Sequence, residues 1–207
     1  MKPSDKFYRG CYYLARTAFA IFYRLRVTGK ENIPEDAVLV CANHSSNADP
    51  FLIAFAFGID CQMHIIAKAE LFKIPVISPV LKRLGMISVD RATLDVMTIK
   101  KTLTYLKSGE KVVIFPEGTR AHEDGEAYAK SGAIKLAERA GVPLLPVFLP
   151  RKKPLFTRVP IIIGEPYNVD RSDSKRSPEE YERLSGALMG RIKDLDPSAV
   201  SDAGSMC

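Results

Sequence analysis

From Val27 to near its end, the chain alternates short apolar runs with segments of helical period. Six runs of four to six residues are predicted to be strands, at 38–42, 64–67, 86–89, 112–115, 144–149 and 159–163. Five helices are predicted among and after them, at 50–57, 75–84, 94–107, 130–140 and 178–193. This alternation predicts an α/β domain with a mostly parallel central sheet flanked by helices.

Polar residues follow the predicted strands at the points where the strands end. They are Asn43 and His44 after the first strand, Lys68 after the second, Asp90 and Arg91 after the third, Glu117 and Arg120 after the fourth, and Arg151 after the fifth. The carboxyl ends of parallel strands share one edge of a sheet, and open α/β folds bind ligands at that edge. We therefore expect these side chains to converge on one cleft.

A histidine and a carboxylate, His44 and Asp49, lie five positions apart across a predicted strand-to-helix turn. A neutral imidazole can take a proton from an alcohol near neutral pH, and a carboxylate bonded to its other nitrogen would fix the tautomer. The pair is therefore a candidate for general-base catalysis, with the amides after His44 as candidate oxyanion donors. In the structural alternative, Ser46 and Asp49 form a capping box that only begins a helix.

An anion site is predicted around the segment Phe-Pro-Glu-Gly-Thr-Arg, at the end of the fourth strand. Gly118 permits close approach of the backbone to a ligand, and the guanidinium of Arg120 suits phosphate oxygens. Arg91 and Lys68, at neighbouring strand ends, would add positive charge. Glu117 would orient an arginine or hold a hydroxyl of the ligand. In the alternative, Glu117 and Arg120 pair as a surface salt bridge.

The first 26 residues are predicted to form an amphipathic helix on a membrane surface. Its apolar residues occupy one side of a helical wheel: Phe7, Cys11, Leu14, Ala18, Ile21, Phe22 and Leu25. Basic residues lie opposite, and aromatic residues fill one flank: Tyr8, Tyr12, Phe19 and Tyr23. The first 30 residues hold seven Lys or Arg against one acid, and the chain's net charge is +6, which suits an anionic membrane. The alternative is a helix packed on the domain with a solvated basic face.

Three segments are predicted: the interfacial helix at 1–26, the α/β domain at 27–196 and a flexible tail at 197–207. No apolar stretch approaches the roughly 20 residues of a spanning helix, and we identify no export signal. The four cysteines lack C-x-x-C spacing, which favours a reduced, intracellular protein. We expect the protein at the cytoplasmic face of a membrane, attached peripherally or monotopically.

Four ordered blocks resemble the lysophosphatidic acid acyltransferase family, also called 1-acylglycerol-3-phosphate O-acyltransferases. The blocks are residues 43–50, 85–91, 115–120 and 142–147, and the segment 67–71 is also similar to the family. The resemblance extends over residues 27–166. Because four blocks in this order are highly specific, the α/β domain is identified as an acyltransferase domain.

The resemblance assigns roles to individual residues. It implies that His44 is the base and Asp49 its partner, and that the glycerol phosphate of the acceptor is bound by Arg91, Glu117, Gly118 and Arg120. It also implies a lysophospholipid acceptor, an acyl-CoA or acyl-carrier-protein donor, phosphatidic acid as product, and no metal or organic cofactor. Two positions depart from the family: Ser88 replaces a bulkier residue and Ala121 replaces serine, which leaves acceptor and acyl-chain preference open.

Other functions are open at this stage. The same chemistry would serve another lysolipid or glycerol 3-phosphate as acceptor. A different class, a non-catalytic module that binds anionic membranes or nucleic acid, also fits the positive charge. The concentration of charge at the N-terminus and the lack of a nucleotide-binding motif argue against a nucleic-acid partner. The three histidines show no ligand spacing, so no metal site is predicted.

A basic run, Arg151-Lys152-Lys153, precedes Leu155 and Phe156. It is predicted to be an exposed charge run. The alternatives are a second membrane contact and a docking site for an acidic carrier protein.

Overall fold

The computed structural model describes residues 6–89, 96–117, 131–170 and 176–198. The strands are β1 Tyr23–Thr28, β2 Leu39–Ala42, β3 Met63–Lys68, β4 Ile87–Val89, β5 Lys111–Ile114, β6 Leu144–Phe148 and β7 Thr157–Ile163. The helices are α1 Lys6–Phe22, α2 Asp49–Phe57, α3 Ile77–Arg83, α4 Val96–Lys107, α5 Gly132–Ala140 and α6 Pro178–Asp194. Short 3-10 helices lie at Lys30–Asn32 and Ala69–Lys73.

The strands form one sheet in the order β1-β7-β6-β2-β5-β3-β4. All neighbouring strands are parallel except β6 and β7, which are antiparallel. The carboxyl ends of β2, β3, β4, β5 and β6 therefore lie at one edge of the sheet. The predicted α/β fold with a mostly parallel sheet is confirmed, and the six predicted strands agree with the structure to within two residues at each end.

Helices cover both faces of the sheet. The strands are therefore buried on both sides, and successive side chains point alternately into one of two cores. In β2, Val40 belongs to the core that includes α2, whereas Leu39 belongs to the core formed with α4, α5 and α6. Phe19 of α1 packs against the first of these cores. Helix α1 therefore lies on the same side as α2, and α6 lies on the opposite side.

The first helix ends earlier than predicted, at Phe22, and the boundary placed after residue 26 falls inside β1. From Tyr23 onward the side chains alternate between half-buried and exposed, with Leu25 and Val27 inward and the two intervening arginines outward. This period of two fits a strand, and pairing with β7 satisfies its backbone groups. Leu25 therefore belongs to β1 and not, as was predicted, to the apolar side of the helix.

The aromatic flank of α1 makes ring contacts with α2. The ring of Phe19 stacks on Phe51 with centroids 5.1 Å apart, and Tyr12 meets Phe55 edge-on at 5.4 Å. Leu14 and Ile21, from the apolar side, remain 77% and 63% exposed. Among the described helices, none has the length and apolar character needed to cross a bilayer. The predicted tail lies outside the described residues from 199 onward.

A second buried histidine, His64, lies at the opposite end of the strands from His44, near the amino ends of β3, β4 and β5. Its Nδ1–H donates to the Gly85 carbonyl oxygen at 2.8 Å, Nε2 contacts the Glu110 carboxylate, and the ring stacks on Tyr105 at 3.5 Å. A Cβ at residue 85 would lie 2.6 Å from His64 Nδ1, and φ there is +74°. Gly85, the first residue of the second block, is therefore required by packing and backbone geometry.

Candidate active site

His44 lies just beyond the carboxyl end of β2, in the middle of the sheet. Its side chain is 7% exposed, and its ring stacks on the ring of Phe115, which follows β5, with centroids 4.1 Å apart. Because β2 and β5 are parallel neighbours, the first residue of the third block reaches the histidine of the first block. The stack limits rotation of the imidazole.

Asp49, the first residue of α2, holds the imidazole through its carboxylate. Its Oδ2 atom lies 2.9 Å from His44 Nδ1, and the Asp49 side chain has no exposed surface. A carboxylate only accepts hydrogen bonds, so Nδ1 carries the proton and donates it. The lone pair is then on Nε2, which is the arrangement that a general base requires.

The amides that follow His44 are bonded to the same carboxylate. Ser45 N–H and Ser46 N–H donate to Asp49 Oδ2 at 2.7 and 2.8 Å, and the Ser46 hydroxyl donates to Oδ1 at 3.2 Å. These two amides therefore do not provide the oxyanion donors expected from the sequence. The turn between β2 and α2 is instead wrapped around the carboxylate.

The structural alternative for Asp49 is partly correct. Its carboxylate accepts the Ser46 amide, as the acidic residue of a capping box does. The Ser46 hydroxyl, however, accepts from Ala48 N–H at 3.1 Å, and Ala48 makes no side-chain cap. Asp49 thus begins the helix and also binds His44, so the two roles do not exclude each other.

Lys153, in the loop after β6, also binds Asp49, and this contact corrects the interpretation of the basic run. Its Nζ lies 2.8 Å from Asp49 Oδ1 and donates to the Ser45 hydroxyl at 2.7 Å, while its side chain is only 3% exposed. Arg151 and Lys152 are exposed, as predicted for a charge run. The Lys153 side chain is buried because a buried carboxylate stabilises its charge.

These contacts lower the pKa of Asp49. Burial by itself would raise it, but the hydrogen bond from His44, the charge and hydrogen bond of Lys153 and the Ser46 amide outweigh burial and lower it from 3.8 to about 2. Each of these groups favours the charged form of the carboxylate. Asp49 is therefore ionised throughout the neutral pH range.

Asn43 fixes the spacing between the His44 turn and the loop that carries Lys153. Its Nδ2 donates to the Leu149 carbonyl at 2.7 Å, and its Oδ1 accepts from Leu149 N–H at 2.9 Å. This two-point contact joins the carboxyl ends of the parallel neighbours β2 and β6. The polar residue before His44 is thus a structural clasp.

The predicted anion-binding residues are only partly within the described chain. Glu117 is 5% exposed beyond the end of β5, so it is not a surface group. Lys68 is exposed at the end of β3, the strand next to β5. Arg91, Gly118 and Arg120 lie outside the described residues. Strand order places the described residues along one edge in the sequence Lys153, His44, Glu117, Lys68.

Two contacts of the His44–Asp49 pair were not predicted. Lys153 was assigned to an exposed run, although the rule that polar residues follow strand ends would have included it, because it lies four residues beyond Leu149, the last residue of the fifth predicted strand. Phe115 was treated as part of the apolar strand. Its stacking on His44 depends on β2 and β5 being neighbours, which the sequence pattern alone does not reveal.

Comparison with known proteins agrees with this geometry. A family model described as Acyltransferase matches residues 24–149. That range extends from β1 to the Asn43–Leu149 clasp and includes both His44 and Asp49. The chain belongs to the Acyltransferase family.

Relatives within the Acyltransferase family resemble the chain over different lengths. It is 34% identical to the 1-acyl-sn-glycerol-3-phosphate acyltransferase of Bacillus subtilis, over 91% of this chain and 96% of that protein. It is 35% identical to the enzyme of the same name from Borreliella burgdorferi, where the match covers 61% of this chain and about half (51%) of the relative. The Bacillus match therefore extends beyond the family segment into the chain's remaining parts.

A solved structure of the family has a similar fold. The crystal structure of the 1-acyl-sn-glycerophosphate acyltransferase PlsC from Thermotoga maritima superposes with a TM-score of 0.69 at 29% identity, covering 92% of this chain and 80% of that one. Lys153 lies four residues beyond the last residue matched by the family model. The matched range therefore includes the His44–Asp49 pair but not the lysine that binds it.

Proposed function

We propose that this protein transfers a fatty acyl group from an acyl thioester to the sn-2 hydroxyl of 1-acylglycerol 3-phosphate, giving phosphatidic acid. The names of the relatives support this acceptor. The observation that carries the chemistry is the buried His44–Asp49 contact, which leaves the His44 Nε2 lone pair available. The product places the reaction in phospholipid synthesis.

The reaction needs one proton acceptor and no acyl-enzyme. His44 Nε2 removes the proton of the sn-2 hydroxyl as its oxygen attacks the thioester carbonyl carbon. Asp49 stabilises the imidazolium that forms. The tetrahedral intermediate then expels the thiolate, which takes the proton from His44 and leaves as a free thiol. Proton transfer and a thioester suffice, so the proposal includes no metal or organic cofactor.

The acceptor's phosphate requires positive charge near His44. We assign this role to Lys68, which lies at the carboxyl end of β3, and to Arg91 and Arg120. Glu117 and Gly118 would shape the site around the glycerol. The donor is acyl-CoA or acyl-carrier protein, both of which present the same thioester.

Mass spectrometry of lipid products tests the proposal directly. Purified protein would be given 1-acylglycerol 3-phosphate, glycerol 3-phosphate or lysophosphatidylcholine in separate reactions, each with the same labelled acyl-CoA and, in parallel, acyl-carrier protein. We expect labelled phosphatidic acid from the first acceptor at the highest rate. A higher rate with either other acceptor would reject the proposed acceptor while keeping the chemistry, and absence of labelled lipid with every acceptor and donor would favour a non-catalytic module.

The proposed acceptor and product are membrane lipids, and the surface of α1 supports binding to a bilayer. The outward apolar residues Leu14, Ile21 and Phe22 are exposed, and Phe156 beside them is 69% exposed. The rings of Phe22 and Phe156 are 5.9 Å apart. Exposed basic residues lie on the neighbouring segments, β1, β7 and the loop before β7: Arg24, Arg26, Arg151 and Arg158. Exposed apolar side chains together with basic residues are typical of proteins that bind anionic lipid headgroups.

The loop tip at Phe156 is held in an uncommon conformation. Its φ is +64°, which is costly for a bulky side chain, and its N–H donates to the Phe22 carbonyl at the end of α1 at 2.6 Å. The strained backbone presents an aromatic ring to solvent next to α1. We infer that α1 and this loop together form the membrane-contacting surface of a peripheral or monotopic protein.

Ile21→Glu is expected to weaken binding to vesicles containing phosphatidylglycerol by about 10- to 100-fold. The reason is that inserting an isoleucine side chain contributes roughly 1.5–3 kcal/mol. The measurement is vesicle flotation over a range of lipid concentrations. Ala187→Glu is the matched control, since it adds the same charge at an exposed position on α6, on the opposite side of the sheet. Equal binding by the two variants would contradict the assigned surface.

A further inference from the structure

Lys153 is a buried cation bonded to the same carboxylate that holds His44. The lysine binds Asp49 Oδ1 at 2.8 Å, and the histidine binds Oδ2 at 2.9 Å. Its side chain is 3% exposed and that of Asp49 is 0% exposed. The imidazole, the carboxylate and the ammonium therefore form one buried chain of contacts.

These contacts affect whether the imidazole carries one proton or two. An ionised carboxylate buried beside a histidine, with no cation nearby, attracts a second proton to the ring. A protonated ring has no lone pair on Nε2 and cannot act as a base. A cation on the other carboxylate oxygen balances the charge, so that the carboxylate orients the ring without drawing a second proton onto it.

The loop that carries Lys153 is held on both sides of the lysine. The Asn43–Leu149 clasp fixes the start of its loop, and the Phe156 N–H bond to Phe22 fixes the loop on the other side. A second donor bond from Nζ reaches the Ser45 hydroxyl, within the turn that carries His44. Both ends of the loop are thus tied to elements that position the site.

We propose that Lys153 is a positioning residue for acyl transfer: its ammonium holds Asp49 ionised and oriented so that His44 stays neutral with its proton on Nδ1. The proposal rests on the proposed function for its kinetic consequence. It does not require Lys153 to touch either substrate. Lys153 therefore acts through Asp49 on the base.

Lys153→Met tests the proposal, because methionine keeps an unbranched side chain and removes the charge. We expect kcat to fall roughly 10- to 100-fold while KM for the acceptor and the donor changes less than about threefold. In a His44→Ala background, the same substitution should change the residual rate by less than about twofold, because the group through which it acts is gone.

A second measurement does not depend on the substrate. In protein with 15N-labelled histidine, nitrogen chemical shifts distinguish the neutral Nδ1–H, neutral Nε2–H and doubly protonated rings. At the assay pH we expect His44 of the unaltered protein in the neutral Nδ1–H state, and less than half of it in that state in Lys153→Met. This measurement tests the positioning role of Lys153 separately from the proposed acyl transfer, because it can be made even if the protein forms no phosphatidic acid.

Lys111→Met is the matched control for loss of a buried lysine. Lys111 is 9% exposed at the amino end of β5, and its Nζ donates to the Glu35 carbonyl at 2.8 Å, away from the site. It should leave both kcat and the state of His44 unchanged. Lys153→Gln replaces Lys153→Met if the latter does not fold. An unchanged His44 state, or kcat within threefold of the unaltered protein, would overturn the positioning role.

Discussion

Replacing His44 with alanine is expected to lower kcat by about 100- to 10,000-fold, the range of general-base catalysis. The lone pair on Nε2 exists because Nδ1–H is bonded to Asp49 at 2.9 Å, and alanine removes the base while leaving the carboxylate bonded to Lys153. KM for the acceptor should change little, because the residues proposed to bind its phosphate do not include His44. Initial rates of phosphatidic acid formation at varied acceptor and donor concentrations measure both constants.

The chain offers a matched control at its second buried histidine. His64 also contacts a carboxylate and stacks on an aromatic ring, but it lies at the opposite edge of the sheet. His64→Gln should lower the thermal unfolding midpoint and leave kcat within about threefold at a temperature where the variant is folded. If His44→Ala retained kcat near that of the unaltered protein, His44 would not be the base.

Asp49→Asn is expected to lower the free energy of unfolding by about 3–5 kcal/mol and kcat by roughly 100-fold or more. The stability loss arises because the substitution leaves the Lys153 ammonium buried without its counter-ion. The loss in kcat arises because an amide can donate as well as accept, and so no longer fixes the His44 tautomer. Urea denaturation followed by circular dichroism at pH 7 measures the stability.

The double variant Asp49→Asn/Lys153→Met is the control for this mechanism. Removing both charges should recover more than half of the stability lost in Asp49→Asn, because no unpaired charge is then buried. It should not recover kcat. A destabilisation of the single variant below about 1 kcal/mol would contradict the importance of the ion pair.

The stability contributed by Asp49 also depends on pH. Its pKa is about 2 in the folded protein against an ordinary 3.8, so its contribution is fully present above pH 3.8 and is lost as pH falls towards 2. The shift corresponds to about 2 kcal/mol. The difference in unfolding free energy between the unaltered protein and Asp49→Asn should therefore narrow by about that amount between pH 5 and pH 2.

The sequence predicted the main elements because each is encoded by a local period. Runs of alternating or continuous apolar residues identified six strands, and β2 and β5 were each placed within one residue. Strand β1 was missed because its alternation follows an amphipathic helix without a break, and Tyr23 and Leu25 fit both periods. Only the pairing with β7 shows that this segment is a strand and not a continuation of the helix.

The candidate site shows the same division between local and long-range information. The sequence by itself determined that His44 and Asp49 lie across one strand-to-helix turn, because five residues at that junction keep them close in any α/β domain. Tertiary structure alone decided that Phe115 stacks on the imidazole and that Lys153 binds the carboxylate. Lys153 lies 108 residues from its hydrogen-bond partner Ser45, and its burial depends on β6 lying beside β2. A lysine's solvation is set by which charges surround it in space, and strand order is a property of the whole sheet rather than of any segment within it.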